Sequence, residues 1–145
     1  MRPAAFLRYW LPVFAMMGFI FWMSTSLFTD AHTYDVIKAV VDFFNPSAPV
    51  HELRHLNYAA RKFAHVFEFF FFGLMLFRAF RHGGKTKKGI LASMALAVLV
   101  VAVYAFSDEF HQMFVPGRGG LEIKDLGIDT MGGALAQIVG VLKFR

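Results

Sequence analysis

At 145 residues the chain has room for one compact domain, yet 57 % of it is apolar and only 17 % is charged, against a soluble norm of about 25 % charged. With 19 Phe and a mean hydropathy of +0.52, a water-soluble globule of this size is excluded, because its interior is too small to hide that much apolar surface. The net charge of +5 acquires meaning only once the charges are placed along the chain, and the lack of Cys excludes disulfides and thiolate metal sites.

Charge-free runs predict the membrane spans. Tyr9 to Thr29 carries no charge over 21 residues, enough for a helix across a hydrocarbon core that needs about 20. A cleaved signal peptide fits less well, since the run is too long and no small-residue cleavage site follows it. Pro12 is expected in the first turns of this span, where a missing amide matters least. Gly89 to Ser107 gives a second run of 19 residues. Phe69–Phe77 and Thr130–Leu142 are too short alone, and become spans only if the polar residues before them, 61–68 and 125–129, enter the membrane. The fold class is therefore all-α, an integral membrane bundle of four helices near 9–28, 59–80, 89–111 and 125–143.

The basic residues orient the bundle. Arg2, Arg8, Arg78, Arg81, Lys85, Lys87, Lys88, Lys143 and Arg145 gather on one side, which is expected to be cytoplasmic together with both termini. The other side holds six basic residues and all ten carboxylates, a net charge of −4. The overall +5 is thus a topology signal, and no nucleic-acid partner is expected. In the long first outer loop, Val36, Ile37, Val40, Val41 and Phe44 recur at helical spacing within Ala31–Phe44. An amphipathic helix lying on the interface fits this pattern, and so does a lid over the outer mouth. The run Phe69–Phe72 is suited to lipid contact.

Charges inside spans cost about 2.5–3.5 kcal/mol each at the helix centre, so they demand a reason. In span two Arg61, Lys62, His65 and Glu68 fall within an arc of roughly 120°, and Glu68 lies roughly 10 Å deeper than Arg61. A carboxyl at that depth must be paired, metal-bound or protonated. Span three ends in Ser107-Asp108-Glu109-Phe110-His111-Gln112, with Asp108, His111 and Gln112 on one face and Glu109 at its margin. Pro116-Gly117-Arg118-Gly119-Gly120 then turns the chain and supplies an anion partner in Arg118. Asp125 and Asp129 open span four on one face. Gly132, Ala136 and Gly140 continue that face as a small-residue stripe, which suits packing on another helix and could serve a membrane-protein partner.

Three chemistries fit this cluster. The pairs His65/Glu68 and Asp108/His111 could hold a divalent metal and activate water. Without metal, His65 or His111 could act as a general base, with Asp108, Glu109 and Asp129 as carboxylate partners. Arg61, Lys62 and Arg118, aided by Gln112 and Asp125, could bind a phosphate-bearing ligand. A lipid or a lipid-linked cell-wall precursor reaches such a site from the outer leaflet. The plainer alternative is a set of ion pairs that only holds the helices together.

Lys62-Phe63-Ala64-His65 and Ser107-Asp108-Glu109-Phe110-His111-Gln112-Met113-Phe114-Val115-Pro116-Gly117-Arg118 resemble the two motifs of VanZ-like membrane proteins. Asp125, Asp129 and Gly133 match the acidic and glycine positions that follow, although the family often carries Asn where Asp129 stands. Glu68 has no counterpart in those motifs. The resemblance implies one VanZ-like domain over 1–145 in a bacterial cytoplasmic membrane, with a functional core of Lys62, His65, Asp108, Glu109, Gln112, Arg118, Asp125 and Asp129. The family is named for a protein associated with teicoplanin resistance, which ties it to the cell envelope without fixing a reaction or a substrate. Two readings follow from the cluster: a site that binds and modifies an envelope lipid or wall precursor, or a non-enzymatic shield, transporter or scaffold.

Overall fold

The computed structural model describes residues 3–82, 86–118 and 120–143. Arg2, Lys85 and Arg145 of the basic side, and Gly119 of the glycine turn, lie outside them. The described chain is helical throughout, with no strand: α1 (Pro3–Met23), a single 3-10 turn (Ser26–Phe28), α2 (Asp30–Phe44), α3 (Val50–Arg81), α4 (Lys87–Gln112) and α5 (Ile123–Lys143). Of these, α1, α3 and α4 are long and apolar enough to cross a membrane. The polar first turns of α5 keep it below that measure, and it lies along α3 and α4 to complete the four-helix bundle.

Three boundaries differ from the expected ones. Helix α1 ends at Met23 rather than near residue 28, because the hydroxyl residues that follow compete for the backbone. Thr25 Oγ1 donates to the Trp22 carbonyl at 2.7 Å, and Ser24 Oγ turns away to Asp108. Because α1 starts at Pro3, Pro12 sits well inside the helix and not in its first turns. Helix α3 starts at Val50, directly after Pro49, with Glu52 favourably placed in its first turn. Its 32 residues reach about 48 Å, longer than a hydrocarbon core of about 30 Å, so its polar first turns stand outside the membrane.

The expected amphipathic helix is α2, capped by Thr29, whose side chain accepts from the His32 amide. It buries no residue completely; Ile37 and Val41 are half-buried, while Val36, Val40 and Phe44 are exposed. Asn57 ties it to α3 by donating to the Asp30 side chain at 2.9 Å.

The core runs along α3, with Phe69, Phe72, Leu76 and Phe77 closed in by Val13 and Ile20 of α1 and Val101 of α4. Of the run 69–72, Phe69 and Phe72 are buried, and Phe70 and Phe71 remain partly exposed. Consecutive residues of a helix point about 100° apart, so Phe69 and Phe72 turn inward onto Tyr104, with ring centroids at 6.4 and 5.1 Å. Tyr104 in turn donates to the Met17 carbonyl at 2.6 Å, pinning α4 to α1.

Helices α3 and α5 approach backbone to backbone. A Cβ on Gly132 would lie 2.6 Å from the Val66 carbonyl oxygen, and one on Gly73 would lie 2.7 Å from the Gly133 carbonyl oxygen. At Gly140 it would meet the Phe77 ring at 2.6 Å. The Gly132/Ala136/Gly140 stripe thus packs on a helix of its own chain. Gln137 closes the seam, donating to the Gly133 carbonyl at 2.7 Å and the Gly73 carbonyl at 3.3 Å.

Candidate functional site

The close approach at Gly132 sets the polar stripe of α3 against the acidic first turns of α5. Lys62 Nζ is ion-paired with Asp125 and lies 3.7 Å from Glu122 and 5.0 Å from the centre of the Tyr58 ring. One turn further along, His65 Nδ1 bonds Asp129 Oδ1 at 3.0 Å. Asp129 is fully buried, and its second oxygen has no partner. Arg61, at the head of the stripe, donates to Asp30 Oδ1 of α2 at 3.2 Å. Asp30 is 73 % exposed, so Arg61 can exchange this partner at little cost.

A second network joins the end of α4 to the end of α1. Asp108 Oδ2 accepts from Ser24 Oγ and from Gln112 Nε2, both at 2.8 Å. Gln112 Oε1 accepts from Arg118 Nη1 at 3.3 Å, and Arg118 Nη2 donates to the Met23 carbonyl. That carbonyl belongs to the last turn of α1, whose acceptors lack helical donors, so Arg118 caps α1. Gly117 permits the turn that aims Arg118 inward, with φ of +80°, a region that disfavours any side chain. Burial, and then neighbouring Arg61, push the Arg118 guanidinium below its ordinary range against the pull of Asp108, Glu68 and Glu109. Glu109 faces α5 instead, where its Oε2 accepts from the Glu122 amide at 3.0 Å.

Among the described residues, buried polar atoms left unpartnered at this end include Asp108 Oδ1, Glu109 Oε1, Asp129 Oδ2 and Arg118 Nε. Between the networks lies a cavity of about 60 Å³ lined by Ser24, Arg61, His65, Glu68 and Arg118. Phe28, Thr33, Arg61 and Ala64 form its wall and also line a second, apolar groove of about 340 Å³ under α2. A third cavity of about 250 Å³ adjoins on the other side of Arg61, where Tyr58, Lys62 and Asp125 line it.

Ten expected site residues and Glu68 thus sit at the end of the bundle that carries α2, and all but His111 share these contacts. His111 turns toward α1, where its ring packs on Phe21 at 4.5 Å, and its Nδ1 is buried without a partner. His111 therefore does not line the cavity that His65 and Glu68 share. Among the described residues, no three His, Asp or Glu side chains are placed to hold a metal ion. Ser24, Asn57 and Gln137 are buried polar residues that were not expected in the site; Gln137 alone is a lone polar side chain in an apolar run, the signal that marks a buried partner.

Residues 9–143 match the model of the VanZ/LLP1 family. The chain belongs to that family. No curated protein and no solved structure matches it. In this VanZ/LLP1 protein the two motifs carry the two networks: Lys62 and His65 provide the α3 half of one, and Asp108, Gln112 and Arg118 build the other. Both sets belong to the same end of one membrane-embedded helical bundle.

Proposed function

We propose that this VanZ/LLP1 membrane protein binds the phosphate-bearing headgroup of an envelope lipid or lipid-linked wall precursor from the outer leaflet. The α2 end is then outermost and the basic end cytoplasmic, in accord with the distribution of Lys and Arg. One observation carries the reading: the cavity lined by Arg61, His65, Glu68 and Arg118 shares a wall with the apolar groove under α2. A headgroup in the first and an acyl or prenyl chain in the second would meet Arg61 at the junction. Arg61 exchanges its exposed Asp30 partner for phosphate, and Arg118 offers its unpartnered Nε. With Asp129 as acceptor, His65 Nδ1 carries the hydrogen and Nε2 is left as a base. The His65–Asp129 pair therefore supplies proton transfer to a bound headgroup if the ligand is modified.

A structural network is favoured by a different observation, that Arg118 caps α1 and Lys62 is held by Asp125. Binding of a polyprenyl phosphate to purified single variants separates the two readings. Arg61→Gln and His65→Gln should keep a folded, inserted protein and weaken binding about tenfold or more, the loss expected of a charge-assisted bond. Variants that unfold, or that bind like the unsubstituted chain, support the network instead.

A further inference from the structure

The opposite end of the bundle holds a second cluster with the reverse chemistry. Arg78 lies 17 residues beyond Arg61 on α3, about 25 Å along the helix. There Arg8 and Tyr9 of α1, Arg78, Arg81 and His82 from the end of α3, and Lys143 of α5 line a basin of about 530 Å³. Among the described residues no carboxylate side chain lines it, and the sequence has no Asp or Glu in 1–29, 69–107 or 130–145. Arg8, Arg78 and Arg81 therefore reach this end from helix segments that carry no acidic side chain.

The cations are arranged around one ring. The guanidinium carbons of Arg8 and Arg78 lie 5.7 and 5.1 Å from the centre of the Tyr9 ring, and the His82 ring stands roughly perpendicular to it with centroids 4.0 Å apart. Stacking on an aromatic face fixes guanidinium planes while leaving their edge N–H groups free to donate. Arg81 adds a buried Nη1 that has no partner. Like charges held this close repel unless an anion sits among them, and planar guanidinium forks suit phosphate oxygens in particular. Tyr9 and Trp10 lie in the second turn of α1, and such aromatic side chains mark a membrane interface, so the basin lies at headgroup depth.

We infer that this basin is a second, separate anion site, which binds a phosphate group at the basic membrane face. A glycerophospholipid headgroup and a free phosphate share that chemistry. The test uses the full chain in neutral detergent, with Trp22→Phe so that Trp10, edge-on to Phe80 at 5.3 Å, reports alone. Short-chain phosphatidylglycerol, short-chain phosphatidylcholine and sodium phosphate are titrated in turn. A saturable change with phosphatidylglycerol and none with phosphatidylcholine, weakened about tenfold or more by Arg78→Gln with Arg81→Gln, is the expected result and identifies a lipid source. The same response to sodium phosphate alone, with the same dependence on the two arginines, also supports the site and identifies a free anion. Arg8→Gln guards against misfolding as the cause, because Arg8 is exposed on α1; it too should weaken binding. No saturable response to either anion, or one equally reduced by Lys38→Gln at the far end, overturns the inference.

Discussion

Replacing Gly132 by alanine tests whether backbone contact between α3 and α5 builds the site. The added methyl would lie 2.6 Å from the Val66 carbonyl oxygen and 3.3 Å from the Val66 Cα. Neither atom can swing aside as a side chain could. Ordinary contact at about 3.4 Å then requires α5 to retreat by about 0.8 Å, an overpacking cost of about 1–3 kcal/mol. A retreat of that size would stretch the His65–Asp129 bond from 3.0 Å to about 3.8 Å, beyond hydrogen-bond range. Gly127→Ala is the matched control, because a Cβ there meets nothing within 4 Å and gains the same helix propensity of about 1 kcal/mol. Thermal melts in one detergent should place Gly132→Ala below Gly127→Ala by roughly 3–10 °C for a chain of this size. Equal melting temperatures would refute the claim that this contact is tight and sets the register of the two helices.

Further predictions follow from the same contacts. Asp129→Asn keeps an acceptor for His65 and should melt close to the unsubstituted protein, whereas Asp129→Ala strands a buried ring nitrogen and should cost about 1–3 kcal/mol in the same melt. Tyr104→Phe removes the 2.6 Å bond to the Met17 carbonyl; a loss of about 0.5–1.5 kcal/mol is expected, read as a lower melting point with site binding retained. Gly117→Ala forces a side chain into a left-handed turn and against Thr29 Cγ2 at 3.1 Å. It should cost about 1–3 kcal/mol in stability and loosen the Arg118 cap, seen as faster amide exchange at the end of α1.

Much of this architecture is legible before any coordinates. The charge-free runs mark α1 and α4, and the helical spacing of Val36, Ile37, Val40, Val41 and Phe44 marks α2. Arg61, Lys62, His65 and Glu68 are legible as one stripe because a helix fixes the angle between neighbours. The partners of that stripe are not, since Lys62–Asp125 and His65–Asp129 join residues 63 and 64 positions apart. Periodicity within one helix carries no information about which helix lies opposite. The same limit hid the role of Ser24, 84 positions from Asp108, and that of Arg118 as a cap for α1. It also placed His111 with Asp108 and Gln112, because a helical wheel cannot show that Phe21 stands ready to pack on the imidazole. The long start of α3 escaped notice for another reason. Residues 50–58 are polar, and a search for apolar length stops at the membrane boundary while the helix does not.

We propose that the cavity at Arg61 holds the phosphate of a lipid whose chain lies under α2. The most direct measurement is lipid mass spectrometry of the gently purified protein beside its Arg61→Gln variant, at equal protein and with equal folding by circular dichroism. The account predicts a phosphate-bearing lipid retained by the unsubstituted chain in near-stoichiometric amount and depleted about tenfold or more in Arg61→Gln. Retention of the same lipid by both proteins, or a folded unsubstituted protein free of any phosphate-bearing lipid, would contradict it.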